Sequence, residues 1–264
     1  MTARIVYFHG QPGSPAELGL VGAADLAAGL GVQAADRASD DPAPEFHGRI
    51  SATAAVLAAN ASPVRLIGFS LGAFVAMEVA LRLADTAPDL PVSLDLVSPA
   101  GPLALGDFLP RMAGGPVFRL ARDAPAAFDA LTAVQRLVVG LAPGWLVGQL
   151  FAGATGPEAA LTSDPDFRRG MARMVRGTLS RGAVIYRQDM RAYATQDAAR
   201  LARLHRPVGI WQGREDSWTP PQMAEALARV LPDVRSLTWL DGLSHYSTLQ
   251  QALPRILGPD LSPP

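Results

Sequence analysis

The segment VRLIGFSLGAFVAMEVALRL, residues 64–83, constrains the fold more than any other part of the sequence. Its first six residues, mostly aliphatic, are typical of a buried strand, and the pattern after Gly72 is typical of a helix. Ser70 therefore lies in a very short strand-to-helix turn, between Gly68 and Gly72. Such a turn holds its central residue in strained backbone geometry, and small flanking residues let strand and helix approach closely.

Strand and helix patterns alternate on both sides of this turn. The segments RIVYF, VQAADR, VRLIGF, VSLDLVSPAGP, PVGIWQG and VRSLTWLDG are predicted strands, and helical patterns separate them, the last helix starting at about Ser247. This order predicts βαβ units and an α/β fold, with a mostly parallel central sheet covered by helices on both faces.

The alternation stops between residues 103 and 194, where only helical patterns are found. We therefore predict a sheet domain in two pieces, residues 1–102 and 195–264, interrupted by a helical insertion at 103–194. This insertion contains five arginines close together: Arg168, Arg169, Arg173, Arg176 and Arg181. They indicate a solvated helix face, with Phe167, Met171 and Met174 pointing inward, or else a clamp for an acidic substrate.

Composition excludes several classes of function. Of the 264 residues 49% are hydrophobic and 18% charged, which indicates a compact globular protein. The net charge of −1 gives no field that attracts nucleic acid or an anionic membrane. The absence of cysteine removes disulfides, thiolate catalysis and cysteine metal sites.

No signal peptide or spanning segment is recognised, and no His, Asp or Glu cluster has metal-ligand spacing. We therefore expect a cytoplasmic protein that acts on a small molecule without a metal or other cofactor. We expect no nucleic-acid partner and no insertion into a membrane. The oligomeric state is left open.

Ser70 becomes a nucleophile only if a base accepts its proton and a third group orients that base. His245 follows the last predicted strand, where a loop brings its imidazole over the end of the sheet that carries Ser70. His9 lies in the first loop. We expect His47 and His205 to be solvated surface side chains.

Three aspartates are candidates for the third group. Asp216 follows the penultimate predicted strand and so lies at the same sheet edge as Ser70, although a turn or helix-cap role also explains it. Asp95 lies within a strand pattern, and Asp241 is only four residues before His245. The chain order serine, Asp216, His245 favours Asp216.

These residues resemble the α/β-hydrolase family. The GFSLG turn is followed by an acid after one strand and a histidine after the next, which is the order of that family. The first loop, HGQPG, is similar to the His-Gly-x-Pro-Gly oxyanion loop of the family. Together the four motifs extend over essentially the whole chain, and the resemblance implies a catalytic triad of Ser70, Asp216 and His245.

The resemblance implies further roles. The backbone N–H groups of Gln11 and Leu71 would form the oxyanion hole, and His9 would brace the oxyanion loop. The helical insertion at 103–194 would be the family's cap domain, which forms the substrate pocket. Two departures stand out: we expect the N-terminal β-hairpin of the usual fold to be missing, and the histidine motif reads Leu-Ser-His instead of the common Gly-His.

The resemblance implies a serine hydrolase that forms an acyl-enzyme. A serine in the turn argues against haloalkane dehalogenase and epoxide hydrolase chemistry, which uses aspartate there. The apolar insertion favours a small to medium, largely apolar carboxylic ester. A serine-type C–C bond hydrolase, an amide or peptide hydrolase, and a catalytically silent binding protein remain alternatives. Trp218 and Tyr246, beside Asp216 and His245, are expected either to bind substrate or simply to pack.

Overall fold

A six-stranded parallel sheet forms the centre of the computed structural model, which describes residues 3–37, 45–180 and 183–258. The strand order is β2-β1-β3-β4-β5-β6, and every neighbouring pair is parallel. The strands are β1 (Arg4–Phe8), β2 (Gln33–Ala35), β3 (Val64–Phe69), β4 (Val92–Val97), β5 (Val208–Gly213) and β6 (Val234–Leu240). The predicted fold class is confirmed.

The central strands are buried on both faces, as strands covered by helices must be. Every residue of β3 and β5 is buried, and β4 has one partly exposed residue. Arg65 is the charged exception in β3, and its Nε lies 2.7 Å from Oδ2 of Asp95 on β4. Burial of this pair is tolerated because each charge faces its partner.

Twelve helices complete the described part of the chain. Those of the sheet region are α1 (Glu17–Leu20), α2 (Ala24–Gly29), α3 (Phe46–Ala58), α4 (Leu71–Thr86), α11 (Pro221–Val230) and α12 (His245–Leu257). Those between β4 and β5 are α5 (Gly115–Asp123), α6 (Pro125–Leu141), α7 (Pro143–Leu150), α8 (Gly156–Ser163), α9 (Pro165–Ser180) and α10 (Ala183–Ala194).

Two helices differ from the sequence prediction. The helical pattern AELGLVGAADLAAGLG, which follows the first loop and predicts one helix, forms two, α1 and α2, and Gly22, with φ of +71°, lies at the break. Helix α12 begins at His245 instead of Ser247, because Ser244 and Ser247 together close its first turn: the Ser244 N–H donates to Ser247 Oγ at 2.9 Å. The polar segment ASDDPAPE, residues 38–45, predicts a loop after β2, and all of it except Glu45 lies outside the described residues.

The segment between β4 and β5 contains helices and short 3₁₀ turns but no strand in its described residues. The buried face of α9 carries Phe167, Met171 and Met174, as predicted. The arginines at 168, 169, 173 and 176 are exposed, and Arg181 lies outside the described residues. The solvated-face interpretation is confirmed for the four described arginines, whereas the division at residues 102 and 194 into two units stays a prediction.

No single helix among the described residues is long and apolar enough to cross a membrane. Helices α6 and α7 are sufficiently apolar only when taken together, and the chain bends by 119° between them.

The strand-to-helix turn after β3 is packed against the end of β1. A Cβ on Gly72 would lie 2.0 Å from the carbonyl oxygen of Phe8, and a Cβ on Gly68 would lie 2.5 Å from the Cα of Ala73. Neither position has room for a side chain. The two glycines are therefore required by close backbone contact, which explains their spacing around Ser70.

We expect Gly72→Ala to lower the free energy of unfolding by at least about 1–3 kcal/mol, because the added methyl group overlaps the Phe8 carbonyl and the backbone must shift. The control is Gly140→Ala in α6, where nothing lies within 4 Å of the added Cβ. It should raise stability by up to about 1 kcal/mol through helix propensity. Urea unfolding of both variants measures the difference, and equal stability of the two would contradict the packing argument.

Candidate active site

Ser70 occupies a strained position at the carboxyl end of β3. Its backbone has φ of 55° and ψ of −125°, in a region that non-glycine residues rarely adopt. Backbone hydrogen bonds fix it on both sides: the Ser70 N–H donates to Val97 O at 3.0 Å, and the Ala100 N–H donates to Ser70 O at 3.0 Å. The side chain is partly exposed at the start of α4, where it lines a cavity.

His245 and Asp216 form a buried pair at the same sheet edge. The distance between His245 Nδ1 and Asp216 Oδ2 is 2.8 Å, and both residues are more than nine-tenths buried. His245 is the first residue of α12, and Asp216 lies in the loop after β5. His245 also lines a small cavity together with Ser70. The structure thus brings the three predicted residues to one place from three separate segments of the chain.

The segment DSWT holds the Asp216 carboxylate in position. Asp216 Oδ1 accepts hydrogen bonds from the backbone N–H of Trp218 at 2.8 Å and of Thr219 at 3.0 Å. The hydroxyl of Thr219 donates to Oδ2 at 3.0 Å. These contacts within four residues form a local turn of the kind that aspartate favours. The segment DSWT is therefore a local sequence signal for Asp216, in addition to its position after a strand.

The pair stabilises its own charged forms. Burial alone raises the pKa of Asp216, but the nearby His245, its hydrogen bond and the N–H of Thr219 outweigh burial, so that pKa lies below its ordinary value. Burial alone lowers the pKa of His245, but the charge and hydrogen bond of Asp216 outweigh it, and Glu158 and Glu17 act in the same direction. The pKa of His245 is therefore raised, and its neutral form prevails only above that raised value.

The rival acids are engaged elsewhere. Asp95 is buried in the middle of the sheet between Arg65 and the indole N–H of Trp211, which donates to Asp95 Oδ1 at 3.3 Å. Asp241 is exposed and pairs with Arg214 at 2.7 Å. Neither carboxylate contacts His245 within the described structure.

None of the other histidines in the described structure pairs with Asp216. His47 and His205 are exposed, as expected. His9 is buried: its Nδ1 lies 2.7 Å from the carbonyl oxygen of Gly10, and its Nε2 accepts the N–H of Arg37 at 3.2 Å. Burial and the charge of Arg37 hold the pKa of His9 well below its ordinary value, so it stays neutral. These contacts tie the first loop to the segment after β2.

Gln11 and Leu71, the predicted oxyanion-hole residues, line the same cavity as Ser70. Leu71 is the first residue of α4, so its N–H is one of the unpaired donors at a helix N-terminus. The side-chain Nε2 of Gln11 donates to Asp189 Oδ2 at 3.0 Å, and Asp189 forms an ion pair with Arg37 at 2.6 Å. A buried charged network therefore supports the loop that carries Gln11.

The cavity beside Ser70 has a volume of about 120 Å³ and is mostly apolar. The inserted helices α5, α6, α7, α9 and α10 supply much of its wall. Among its apolar lining residues are Val117, Phe118, Leu146, Leu150, Val175, Leu179 and Met190. Trp145, an aromatic residue of the same apolar segment, is 59% exposed and does not line this cavity.

Trp218 and Tyr246 both lie close to His245. The ring of Trp218 is 6.2 Å from the imidazole centroid, and Trp218 lines the apolar cavity as well as the small one. Tyr246 lines only the small cavity, with its hydroxyl 3.3 Å from Oε1 of Glu17. Trp218 thus borders both cavities, and of these two Tyr246 borders only the small one.

Sequence reasoning missed two buried carboxylates. Glu17 accepts the Tyr7 hydroxyl at 2.6 Å and the Gly10 N–H at 3.0 Å, and burial raises its pKa. Glu158, in α8, contacts the first turn of α12. No short-range motif marks either residue. Glu17 meets Tyr7 and Gly10 across the first loop, and the donors to Glu158 lie nearly ninety residues later in the chain. In the described ranges, no three His, Asp or Glu side chains are grouped so that they could hold a metal ion.

Comparison with known proteins gives structural matches only. No protein-family model and no curated protein matches the sequence. Among solved structures, a hydrolase from Pseudomonas aeruginosa is similar with a TM-score of 0.63 and 18% identity over 97% of this chain and 90% of that one. A thermophilic esterase from Thermogutta terrifontis has a TM-score of 0.65 and 16% identity over 97% and 87%.

A bromoperoxidase from Bacillus anthracis is also similar, with a TM-score of 0.62 and 16% identity over 96% of this chain and 88% of that one. The similarity to these proteins extends over nearly the whole chain, whereas their names describe different reactions. The parallel sheet, the turn at Ser70 and these neighbours agree on the architecture. The chain has the α/β-hydrolase fold.

Proposed function

We propose that the protein is a serine hydrolase that cleaves a small to medium, largely apolar carboxylic ester through an acyl-enzyme. The observation that carries this proposal is the buried His245–Asp216 pair, 2.8 Å apart, whose histidine shares a cavity with Ser70 on its strained turn. A nucleophile, a base and an orienting acid at one sheet edge are the groups that acyl transfer needs.

In the first step Ser70 Oγ attacks the ester carbonyl while the free imidazole nitrogen of His245 accepts its proton. Asp216, hydrogen-bonded to Nδ1, keeps the imidazole in the tautomer that leaves Nε2 free to act as base. It also stabilises the imidazolium that forms. The histidine then protonates the leaving alcohol, so the C–O bond breaks and the acyl group remains on Ser70.

The negative charge that develops on the carbonyl oxygen needs hydrogen-bond donors. We assign these to the backbone N–H groups of Gln11 and Leu71. Each such donor contributes about 3–4 kcal/mol in known acyl-transfer enzymes. In the second half of the reaction His245 activates a water molecule, which attacks the acyl-enzyme and releases the acid.

The cavity supports the proposed substrate class. Its apolar lining favours hydrocarbon groups, and its volume of about 120 Å³ favours short and medium acyl chains over long ones. Trp218 is assigned to substrate binding from its place in this cavity, and Tyr246 from its place beside His245. The arginines of α9 are exposed and do not line this cavity, so we do not assign them to substrate binding.

Amide hydrolysis is the second candidate. The side-chain Oε1 of Gln11 is buried and has no hydrogen-bond partner, although its Nε2 is fixed on Asp189. An acceptor of this kind beside Ser70 suits a substrate with an N–H group. Comparing matched ester and amide substrates distinguishes the two candidates, and a protein inert toward both would be the silent binding protein considered above.

We expect Ser70→Ala to abolish both labelling by a fluorophosphonate probe and hydrolysis of p-nitrophenyl esters, because Ser70 is the proposed nucleophile and shares a cavity with His245. Ser236→Ala, at an exposed position on β6, is the control and should behave as wild type. Gel-based labelling and a spectrophotometric assay measure the two effects. Labelling that persists in Ser70→Ala would refute the nucleophile assignment.

We expect Asp216→Asn to leave the fold intact and to lower kcat by about 10⁴-fold, since the amide favours the wrong histidine tautomer. Asp241→Asn makes the same chemical change in an exposed ion pair and should keep kcat within about twofold. Circular dichroism and steady-state kinetics of the two variants are the measurements. Similar kcat values for both would show that Asp216 does not orient the base.

We expect kcat/KM to increase from p-nitrophenyl acetate to the butyrate or hexanoate and then to decrease. Burial of each methylene gives about 0.8 kcal/mol, which is about three- to fourfold in kcat/KM until the cavity is full. Leu146→Ala removes bulk from the cavity wall and should move the optimum to a longer chain. A constant preference for acetate would contradict the apolar acyl site.

A further inference from the structure

Glu158 connects the inserted helices to the helix that begins with His245. It lies in α8, is only 2% exposed, and its carboxylate accepts two backbone hydrogen bonds. Oε1 accepts the N–H of Tyr246 at 3.0 Å, and Oε2 accepts the N–H of Ser247 at 2.7 Å. The two donors are the residues that directly follow His245.

These N–H groups belong to the first turn of α12, where a helix has no internal acceptors. A side chain at the N-cap usually accepts them. The N-cap residue Ser244 does so for Ser247, within the capping box that the two serines form. A carboxylate from another helix, nearly ninety residues earlier in the chain, accepts the Ser247 N–H as well and also that of Tyr246. Its negative charge suits the positive end of the helix dipole. Glu158 therefore adds to the capping box in fixing the first turn of α12, and with it the backbone of His245.

A second carboxylate fixes the same turn from the other side. The hydroxyl of Tyr246 lies 3.3 Å from Oε1 of Glu17, which itself accepts the N–H of Gly10 in the first loop. The residue next to His245 is thus held by its backbone through Glu158 and by its side chain through Glu17. Of these two carboxylates, only Glu158 comes from the inserted helices.

We propose that Glu158 is a positioning residue, through which α8 holds His245 in the orientation that it needs to act on Ser70. The inference rests on the proposed function. If Glu158 has this role, the orientation in which His245 can act as base depends on the contact between α8 and α12. The segment between β4 and β5 then has two roles, since it forms the cavity wall and also completes the support of His245.

Glu158 also contributes charge. The titratable groups that face His245 are Asp216 on its Nδ1, Glu158 from α8, Glu17 from α1 and the adjacent Tyr246. Burial lowers the pKa of His245, whereas the three carboxylates raise it, and their effect is the larger. Removing the Glu158 charge should therefore lower this pKa. Because the base must be neutral, the acid limb of kcat/KM should move to lower pH.

The test uses Glu158→Gln and Glu158→Ala in the full chain, with Glu225→Gln, at an exposed position of α11, as the charge-matched control. Glu158→Ala removes both acceptors, and we expect kcat for p-nitrophenyl butyrate to decrease about 10–100-fold with KM within about threefold, as for a displaced catalytic group. Glu158→Gln keeps one acceptor oxygen, so its kcat should decrease less. Both variants should move the acid limb to lower pH, while the control should not.

An NMR titration of the His245 imidazole gives a readout that needs no turnover. A lower His245 pKa in Glu158→Gln than in wild type shows that the Glu158 charge acts on His245, and together with the expected loss of kcat in Glu158→Ala it supports the inference. Lower thermal stability with unchanged kcat, acid limb and His245 pKa would overturn it, because Glu158 would then be merely structural. If Glu158→Ala does not fold, Glu158→Gln decides by the same readouts. Failure of the proposed function would show separately, as labelling or turnover that survives in Ser70→Ala.

Discussion

The close backbone contact between the end of β1 and the turn at residues 68–72 underlies the rest of the site. The carbonyl oxygen of Phe8 leaves no room for a side chain at Gly72, so the turn is pressed against the strand that leads into the first loop. A positive φ at a non-glycine residue costs about 1–3 kcal/mol, so packing must hold Ser70 in place. Helix α4 supplies that packing, since twelve of its sixteen residues are buried.

Parallel strands bring the remaining groups to the same edge. Because β1, β3 and β5 all end there, the first loop, Ser70 and Asp216 meet without any long excursion of the chain. His245 arrives from the start of α12, after β6. The fold thus gathers groups that are up to 234 residues apart in sequence, between Gln11 and His245. What covers this edge is the helical segment between β4 and β5.

Much of this arrangement could be predicted because its signals are local. The strands at Arg4–Phe8 and Val64–Phe69 agree with their predicted bounds, since aliphatic and aromatic runs between turns have few other interpretations. The glycine spacing around Ser70 predicted a close approach that the structure contains. The start of α12 was wrong by two residues, because the serines that close its first turn interact through side chains that hydrophobic periodicity does not register.

The sequence by itself determined the α/β architecture and the strained serine turn, because each depends on residues adjacent or nearly adjacent in the chain. The candidate order of Ser70, Asp216 and His245 came from the resemblance of separate motifs to one family. Only the tertiary structure decided that Asp95 forms an ion pair with Arg65 within the sheet. It also decided that Glu158 binds the backbone of Tyr246 and that Glu17 binds its side chain. The residues beside a carboxylate in the sequence do not show which partner it will contact. Its role is set by burial and by donors from distant segments, which exist only once the chain has folded.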